Sequence, residues 1–138
     1  MDLKGITMAT IKSYTDLEQS RKLAEILPLE SADMEYLAIK ENGASVGAVP
    51  FVKDNSEVED SAYSHIFNRI ACWSLTALLN VLPDELEDNH FLTLDKEGNE
   101  YCCCYEDGNG NSFKHKFADN PVDACVAMIE NLNELKML

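Results

Sequence analysis

Long hydrophobic runs are missing from this sequence. Apolar residues make up 46% of its 138 residues. No stretch, however, approaches the roughly 20 consecutive apolar residues that a membrane-spanning helix needs. Residues 1–6 also lack the basic segment and the continuous apolar segment of a secretory signal. We therefore expect no membrane partner and no secretory signal.

Basic residues are scarce. The chain has 11 Lys and Arg against 25 Asp and Glu, which gives a formal net charge of −14 at pH 7. Nucleic acids and anionic membranes are bound largely through Lys and Arg side chains, so this charge argues against direct binding of either. A strongly acidic surface favours solubility and suits a basic protein partner.

Motifs for zinc and phosphate are lacking too, since there is no C-x₂-C pair, no P-loop and no G-x-G-x-x-G fingerprint. Residues 107–111 resemble the opening of a calcium loop, but position twelve is Ala118 instead of glutamate, which favours a hairpin turn. Three of the five cysteines are adjacent, at residues 102–104. Neighbouring strand residues point to opposite faces and cannot pair without distortion. We therefore predict reduced thiols in a cytoplasmic protein.

Caps and apolar spacing indicate three helices. Thr15 and Glu18 are spaced as a capping box that begins the first helix. The second extends from Cys72 to Leu82, with Ser74 as its N-cap. The third extends from Asn120, its N-cap, to Leu138.

The remaining regular segments have the pattern of strands. They are predicted at residues 34–40, 46–52, 90–94, 101–105 and 112–117. Asn42-Gly43 is a strong hairpin signal between the first two. Pro50 either places the second strand at a sheet edge or ends it there. Residues 63–70 are predicted to form a short helical turn.

Short connections between the strands imply antiparallel pairing, because parallel strands need long crossovers. We predict a loose N-terminal leader, residues 1–13, and a single α+β domain, residues 14–138. The element order is α-β-β-α-β-β-β-α, with a mainly antiparallel sheet of four to five strands and three main helices on one face. The predicted core residues are Tyr36, Trp73, Leu75, Leu78, Leu79, Cys102, Cys104, Phe113, Phe117, Val122, Cys125, Ile129 and Leu132.

The candidate metal ligands are Cys102, Cys104 and His115. A two-residue or a four-residue hairpin connection places them on one sheet face with Phe113 and Phe117, and two thiols with an imidazole suit zinc. The two phenylalanines mark that face as core, however, and a buried free cysteine behaves as a small hydrophobic residue. No cysteine lies in a nucleophile motif. The sequence favours structural cysteines, with no catalytic residue, no bound metal and no cofactor.

Several pieces of the chain, taken together in this order, resemble a family of small uncharacterised proteins from phages and other mobile elements of gut bacteria. The pieces are residues 17–23, 31–34, 73–75 with 77–79, and 120–125 with 128–129. The resemblance covers nearly the whole chain after about Ile11. It implies an accessory protein of a mobile element, without implying an activity or a site residue.

Three hypotheses for function follow from the sequence. The leading one is a non-enzymatic accessory protein that binds another protein, whose identity the sequence does not give. One alternative is an acidic protein that imitates DNA and inhibits a basic host protein, which requires carboxylates along one continuous face. The other is a small enzyme that uses Cys102, Cys104 and His115 as a thiol or metal site.

Overall fold

Helices and antiparallel strands alternate along the chain in the predicted order. A computed structural model describes residues 11–41, 44–53, 67–87 and 89–138. Within these residues the helices are α1 (Leu17–Ile26), α2 (Leu75–Val81) and α3 (Pro121–Glu134), and a short 3₁₀ turn spans Leu29–Ser31. The strands are β1 (Met34–Glu41), β2 (Ala44–Val52), β3 (Phe67–Cys72), β4 (Glu85–Leu86), β5 (His90–Glu97), β6 (Glu100–Glu106) and β7 (Ser112–Ala118). The α+β class, the antiparallel pairing and the three main helices are confirmed.

The described strands form two sheets instead of the predicted single sheet of four to five strands. Their orders are β2-β1-β3 and β4-β5-β6-β7. The prediction of a helical turn over residues 63–70 is wrong from Phe67 onward, and residues 63–66 lie outside the described part. Residues 67–72 are extended because they pair with β1, so tertiary pairing overrides local propensity. The sequence does not predict the short strand β4, which pairs with β5.

The chain divides into two compact units. One comprises residues 14–77, and the other comprises residues 78–138 together with residues 11–13 of the described part. The predicted leader, residues 1–13, stays a prediction, because residues 1–10 lie outside the described part. Lys12, within that segment, forms a 2.8 Å ion pair with Asp123 in α3.

In the unit of residues 14–77, β1 and β2 form the predicted hairpin. Glu41 pairs with Ala44, and the two residues of the Asn-Gly signal, 42–43, lie outside the described part. Pro50 lies opposite Tyr36 in β2, which continues to Val52 at the edge of the sheet. The edge alternative is therefore correct, since an edge strand tolerates a residue without a backbone N–H.

The capping box of α1 is displaced by one residue from its predicted position. Asp16 is the N-cap, and its carboxylate accepts from the Gln19 backbone N–H at 2.8 Å. The Gln19 side chain accepts in return from the Asp16 N–H at 3.1 Å. Thr15 does not cap the helix, because its side chain is fully buried in another role.

Thr15 joins α1 to the segment that follows β3. Its hydroxyl accepts from the Trp73 backbone N–H at 3.1 Å and lies 2.8 Å from the Ser20 hydroxyl. Its backbone N–H donates to the Trp73 carbonyl at 2.9 Å, and its carbonyl accepts from the Tyr36 hydroxyl at 2.7 Å. Trp73 is fully buried, as predicted, and its indole N–H donates to the Ser31 hydroxyl. The buried polar groups around Trp73 are thereby satisfied.

In the unit that contains residues 78–138, α3 packs against β6 and β7. Asn120 is its N-cap, as predicted, and accepts from the Asp123 N–H at 2.8 Å. The helix ends at Glu134 instead of continuing to Leu138. Lys136 adopts a left-handed conformation with φ of 57°, and the Met137 N–H bonds back to the Leu132 carbonyl at 2.8 Å, which closes the helix.

Most of the predicted core is confirmed, with two corrections. Leu75 and Leu79 are half-buried. Phe113 and Phe117 are not core residues, since 37% and 49% of their surfaces are exposed. The other predicted core residues are buried: Tyr36, Trp73, Leu78, Cys102, Cys104, Val122, Cys125, Ile129 and Leu132.

Replacing Thr15 by valine tests the polar cluster around Trp73. The change keeps the side-chain shape but leaves the buried Trp73 N–H and the Ser20 hydroxyl without their partner. We expect a loss of about 1–3 kcal/mol in the free energy of unfolding, measured by urea denaturation. Thr76→Val is the matched control on the exposed side of α2 and should change it by less than about 0.5 kcal/mol. Equal effects of the two variants would contradict this role for Thr15.

Candidate functional site

Strand β6 carries the three adjacent cysteines and lies between β5 and β7. One of its faces is covered by α3. On that face the buried Cys103 thiol lies beside the Cys125 thiol of the helix. Tyr105, on the same face, is fully buried, and its hydroxyl donates to the Pro83 carbonyl at 2.7 Å. Because strand residues alternate, Cys102 and Cys104 point to the opposite face.

That opposite face is acidic. Residues directly opposite each other in paired strands point to the same side of a sheet, so the pairing defines the face. We call it the acidic face. Its members are Glu85, Phe91, Thr93, Asp95, Glu97, Glu100, Cys102, Cys104, Glu106, Ser112, His115 and Phe117.

Charged residues of this sheet are sorted by sign between its two faces. All five carboxylates of the four strands lie on the acidic face, and no described ion pair includes them; they are Glu85, Asp95, Glu97, Glu100 and Glu106. The three lysines of the strands do not join them. Lys96 lies over the Tyr101 ring at 5.8 Å, Lys114 lies over the Phe113 ring at 4.9 Å, and Lys116 pairs with Cys103.

Aromatic side chains stand exposed among these carboxylates. Phe91 and Phe117 are 50% and 49% exposed. The His115 ring stacks on Phe117, with 6.1 Å between ring centroids. The exposed parts of these rings offer apolar surface to a partner, since their contact with water does not stabilise the monomer.

A bulge in β7 explains why Phe113 is not on this face. The β6–β7 connection has five residues, 107–111, since Glu106 pairs with Ser112. A connection of two or four residues would place Phe113 on the acidic face, but a connection of five residues turns it to the other face. Lys114, with φ of 58°, is an extra residue in β7, and after it His115 and Phe117 lie on the acidic face as expected. Phe113 consequently lies opposite Tyr105, where its ring contacts His90 at 5.4 Å.

The connection itself is held by Asp107. Its carboxylate accepts from the backbone N–H groups of Asn109 and Asn111, each at 2.9 Å, and from the Asn111 amide at 3.1 Å. These hydrogen bonds lower the pKa of Asp107 below its ordinary value. The carboxylate is committed to the turn, as the hairpin interpretation of residues 107–111 predicts.

The structure brings the predicted ligands Cys102, Cys104 and His115 to one face but gathers a different set of ligand atoms. His115 pairs with Cys104 across the strands, yet its ring lies against Phe117. Among the described residues, the ligand atoms of Asp95, Cys104 and Glu106 lie within 4.8 Å of one another. Sequence reasoning missed the two carboxylates. The Cys104-x-Glu106 spacing could have indicated Glu106, because alternate residues of a strand lie on the same face. The position of Asp95 near Cys104 depends on the register of β5 against β6.

The environment of β6 raises the pKa of its three thiols above the ordinary value for cysteine. Burial raises the pKa of Cys104, and its neighbours Cys102 and Glu106 raise it further. Burial also raises the pKa of Cys102. The neighbouring Cys125 thiol, followed by burial, raises the pKa of Cys103. A nucleophilic cysteine needs the opposite shift, so these thiols are unsuited to catalysis as free nucleophiles.

Comparison of the chain with known protein families, curated proteins and solved structures finds no match. No helix among the described residues is both long and apolar enough to span a membrane. The site must therefore be interpreted from its own geometry.

Thiol titration tests the protonated state of these cysteines. At pH 8, a disulfide-forming reagent should modify the folded protein at least about tenfold more slowly than an ordinary cysteine, since each added pKa unit cuts the thiolate fraction about tenfold. All five cysteines should react once the chain is unfolded in denaturant, which is the control. One thiol that reacts faster than the unfolded chain would favour a catalytic cysteine.

Proposed function

We propose that this protein binds a basic protein partner through the acidic face and has no catalytic activity of its own. The observation that carries the proposal is the sorting of charge. Five carboxylates lie on the face that presents two half-exposed phenylalanines, and the lysines of the same strands contact other groups. A partner that presents Lys and Arg side chains together with apolar ones complements this surface.

The carboxylates supply attraction and specificity. Like charges gathered on one face repel each other, and a cationic partner relieves that repulsion. Attraction of this kind accelerates association and weakens as salt rises, because added ions screen exposed charges. The net charge of −14 adds a long-range field of the same sign.

The phenylalanines supply affinity. Phe91 and Phe117 each still expose half of their surface, and complete burial of such a ring contributes about 1 kcal/mol beyond what folding has gained. Exposed aromatic residues are among the side chains that contribute most to protein interfaces. Phe91 lies opposite Glu106 and Phe117 lies opposite Cys102, so the acidic face presents two separate apolar positions with carboxylates near them.

The proposed context is an accessory protein of a phage or other mobile element, acting in the cytoplasm. The resemblance of residues 17–23 and 120–125 to such proteins supports the first part. Five free cysteines, all buried, support the second, because thiols stay reduced in the cytosol.

Imitation of DNA is a second candidate, and one observation favours it. Five of the nine carboxylates between residues 84 and 107 lie on one face, as a mimic requires. On β5, Asp95 and Glu97 are two residues apart and so lie about 7 Å from each other, whereas Glu100 and Glu106 of β6 are six residues apart, at about 20 Å. A mimic and an ordinary acidic interface differ in one property, which is whether DNA competes for the same partner.

Affinity capture with matched variants tests the acidic face. The double variant Phe91→Ser, Phe117→Ser should lose the proteins that the parent chain retains from a lysate of gut bacteria. Loss of about 2 kcal/mol corresponds to roughly thirtyfold weaker binding. Phe113→Ser is the control, because it removes an exposed phenylalanine from the other face. The retained proteins should be basic and should elute with salt.

Three outcomes separate the candidates. Retention of the same proteins by the double variant would exclude the acidic face as the binding surface. Elution of the partner by duplex DNA would favour the mimic, whereas indifference to DNA would favour an ordinary acidic interface. The fold of every variant is checked by circular dichroism before binding is compared.

A further inference from the structure

One face of the three-stranded sheet β2-β1-β3 is buried along β1, and the other is open. Tyr36 and Ala38 of β1 point to the buried face, where 7% and 0% of their surfaces are exposed. The residues that alternate with them point the other way. We call this side the open face. Strand pairing defines its members with described side chains, which are Glu35, Leu37, Val49, Phe51, Arg69 and Ala71.

The open face exposes apolar surface on its outer strand. Val49 and Phe51 of β2 are 56% and 47% exposed. Val49 lies directly opposite Leu37 of β1, and Leu37 is itself only half-buried. These three side chains are neighbours on one side of the sheet, so they form an apolar patch that is stabilised when another surface covers it.

Charge on the open face is balanced, unlike the charge of the molecule as a whole. Arg69 of β3 and Glu35 of β1 form an ion pair at 3.9 Å, with 36% and 22% of their side chains exposed. The chain has a formal net charge of −14, so contact between two copies at an acidic surface is repulsive. The open face avoids that repulsion and therefore suits a second copy of the same chain.

We propose that two copies of this chain form a dimer by packing their open faces together about a two-fold axis. Contacts in such a dimer are reciprocal. When Arg69 of one copy reaches Glu35 of the other, the second Arg69 reaches the second Glu35 as well. The guanidinium has five N–H donors, so it can bind a second carboxylate beside the one at 3.9 Å. The charges of the open face are thereby self-complementary.

The edge of the sheet is a poorer site for a second copy. Strand β2 lies at that edge, but Pro50 has no N–H to offer to a further strand. The register of β2 against β1 also shifts between Ala38 and Ile39, and such irregularities hinder the pairing of edges. Packing of one sheet face on another, as in a β-sandwich, is therefore favoured over a continuous sheet.

The size of the open face predicts a weak dimer. The shortest of the three strands, β3, has 6 residues. Three strands of that length cover about 15 Å by 20 Å, or roughly 300 Å² on each copy. A standard protein interface buries about 800 Å² on each partner. We therefore expect rapid exchange between monomer and dimer, with a dissociation constant on the order of 100 μM.

Sedimentation equilibrium of the full chain tests the dimer. Between about 5 and 500 μM, in about 0.3 M salt to screen the net charge, the average mass should rise from 15.4 kDa towards twice that value. Phe51→Ser should weaken dimerisation at least about tenfold, because each dimer loses two rings. Phe113→Ser, in the other unit, is the control and should dimerise as the parent does. A parent chain that stays monomeric throughout this range would overturn the proposal.

Reversal of charge tests the two-fold relation. Glu35→Arg gives each open face two cations and Arg69→Glu gives it two anions, so each variant alone should be monomeric. An equimolar mixture should form a mixed dimer, because each cation of one copy then faces an anion of the other. Mixing does not restore the ion pair within either copy, so a rescue reports contact between copies. A mixture that stays monomeric, or single variants that dimerise as the parent does, would exclude the open face as the interface.

Folding and the basic partner are controlled separately. Circular dichroism shows whether each variant is folded, and if Phe51→Ser is not, Val49→Ser at the more exposed position replaces it. The open face lies in the unit of residues 14–77, whereas the acidic face lies in the other unit. The double variant Phe91→Ser, Phe117→Ser should therefore dimerise as the parent does, so the dimer and the partner proposed above can fail independently.

Discussion

The position of β6 between β5 and β7 is the constraint on which both faces of this sheet depend. A central strand is hydrogen-bonded on both edges, so its side chains have only the two faces to occupy. Cys103 and Tyr105 are committed to the face under α3, where they are fully buried. Cys102 and Cys104 are thereby forced to the other face, together with Glu106. The side chains of β6 on the acidic face are therefore those that remain once α3 has covered Cys103 and Tyr105 on the opposite face.

Sorting of charge follows from the same alternation. The register of β5 against β6 places Asp95 and Glu97 on the side of Cys102 and sends Lys96 to the side of Tyr101. A shift of one residue in that register would exchange the two sets. The face therefore combines buried thiols, half-buried carboxylates and exposed phenylalanines. The exposed phenylalanines and the outer carboxylates suit a basic partner, whereas the buried thiols are not accessible to one.

In the unit of residues 14–77, the comparable constraint is the burial of polar groups around Trp73. The local sequence suggests Thr15 as the N-cap of α1, because threonine is a favourable N-cap and nothing within the helix itself disfavours it. The folded unit needs the Thr15 hydroxyl for the buried Trp73 N–H, so Asp16 takes the cap. An unsatisfied N–H in the core costs more than the difference between two good caps.

What the sequence determined by itself is the set of features that depend on near neighbours. The Asn120 cap, the hairpin of β1 and β2, the edge position of Pro50 and the apolar stripe of α3 all follow from local geometry and periodicity. The division into two sheets and the extended β3 do not, because they depend on pairing between strands that are distant in the sequence. The bulge at Lys114 depends on where the β6–β7 turn begins and ends, for which the sequence allows several choices. The candidate site shows the same division. Cys102 and Cys104 were identified from their alternation along one strand, but Asp95 joins them only through the β5–β6 register, which follows from the position of the turn between those strands.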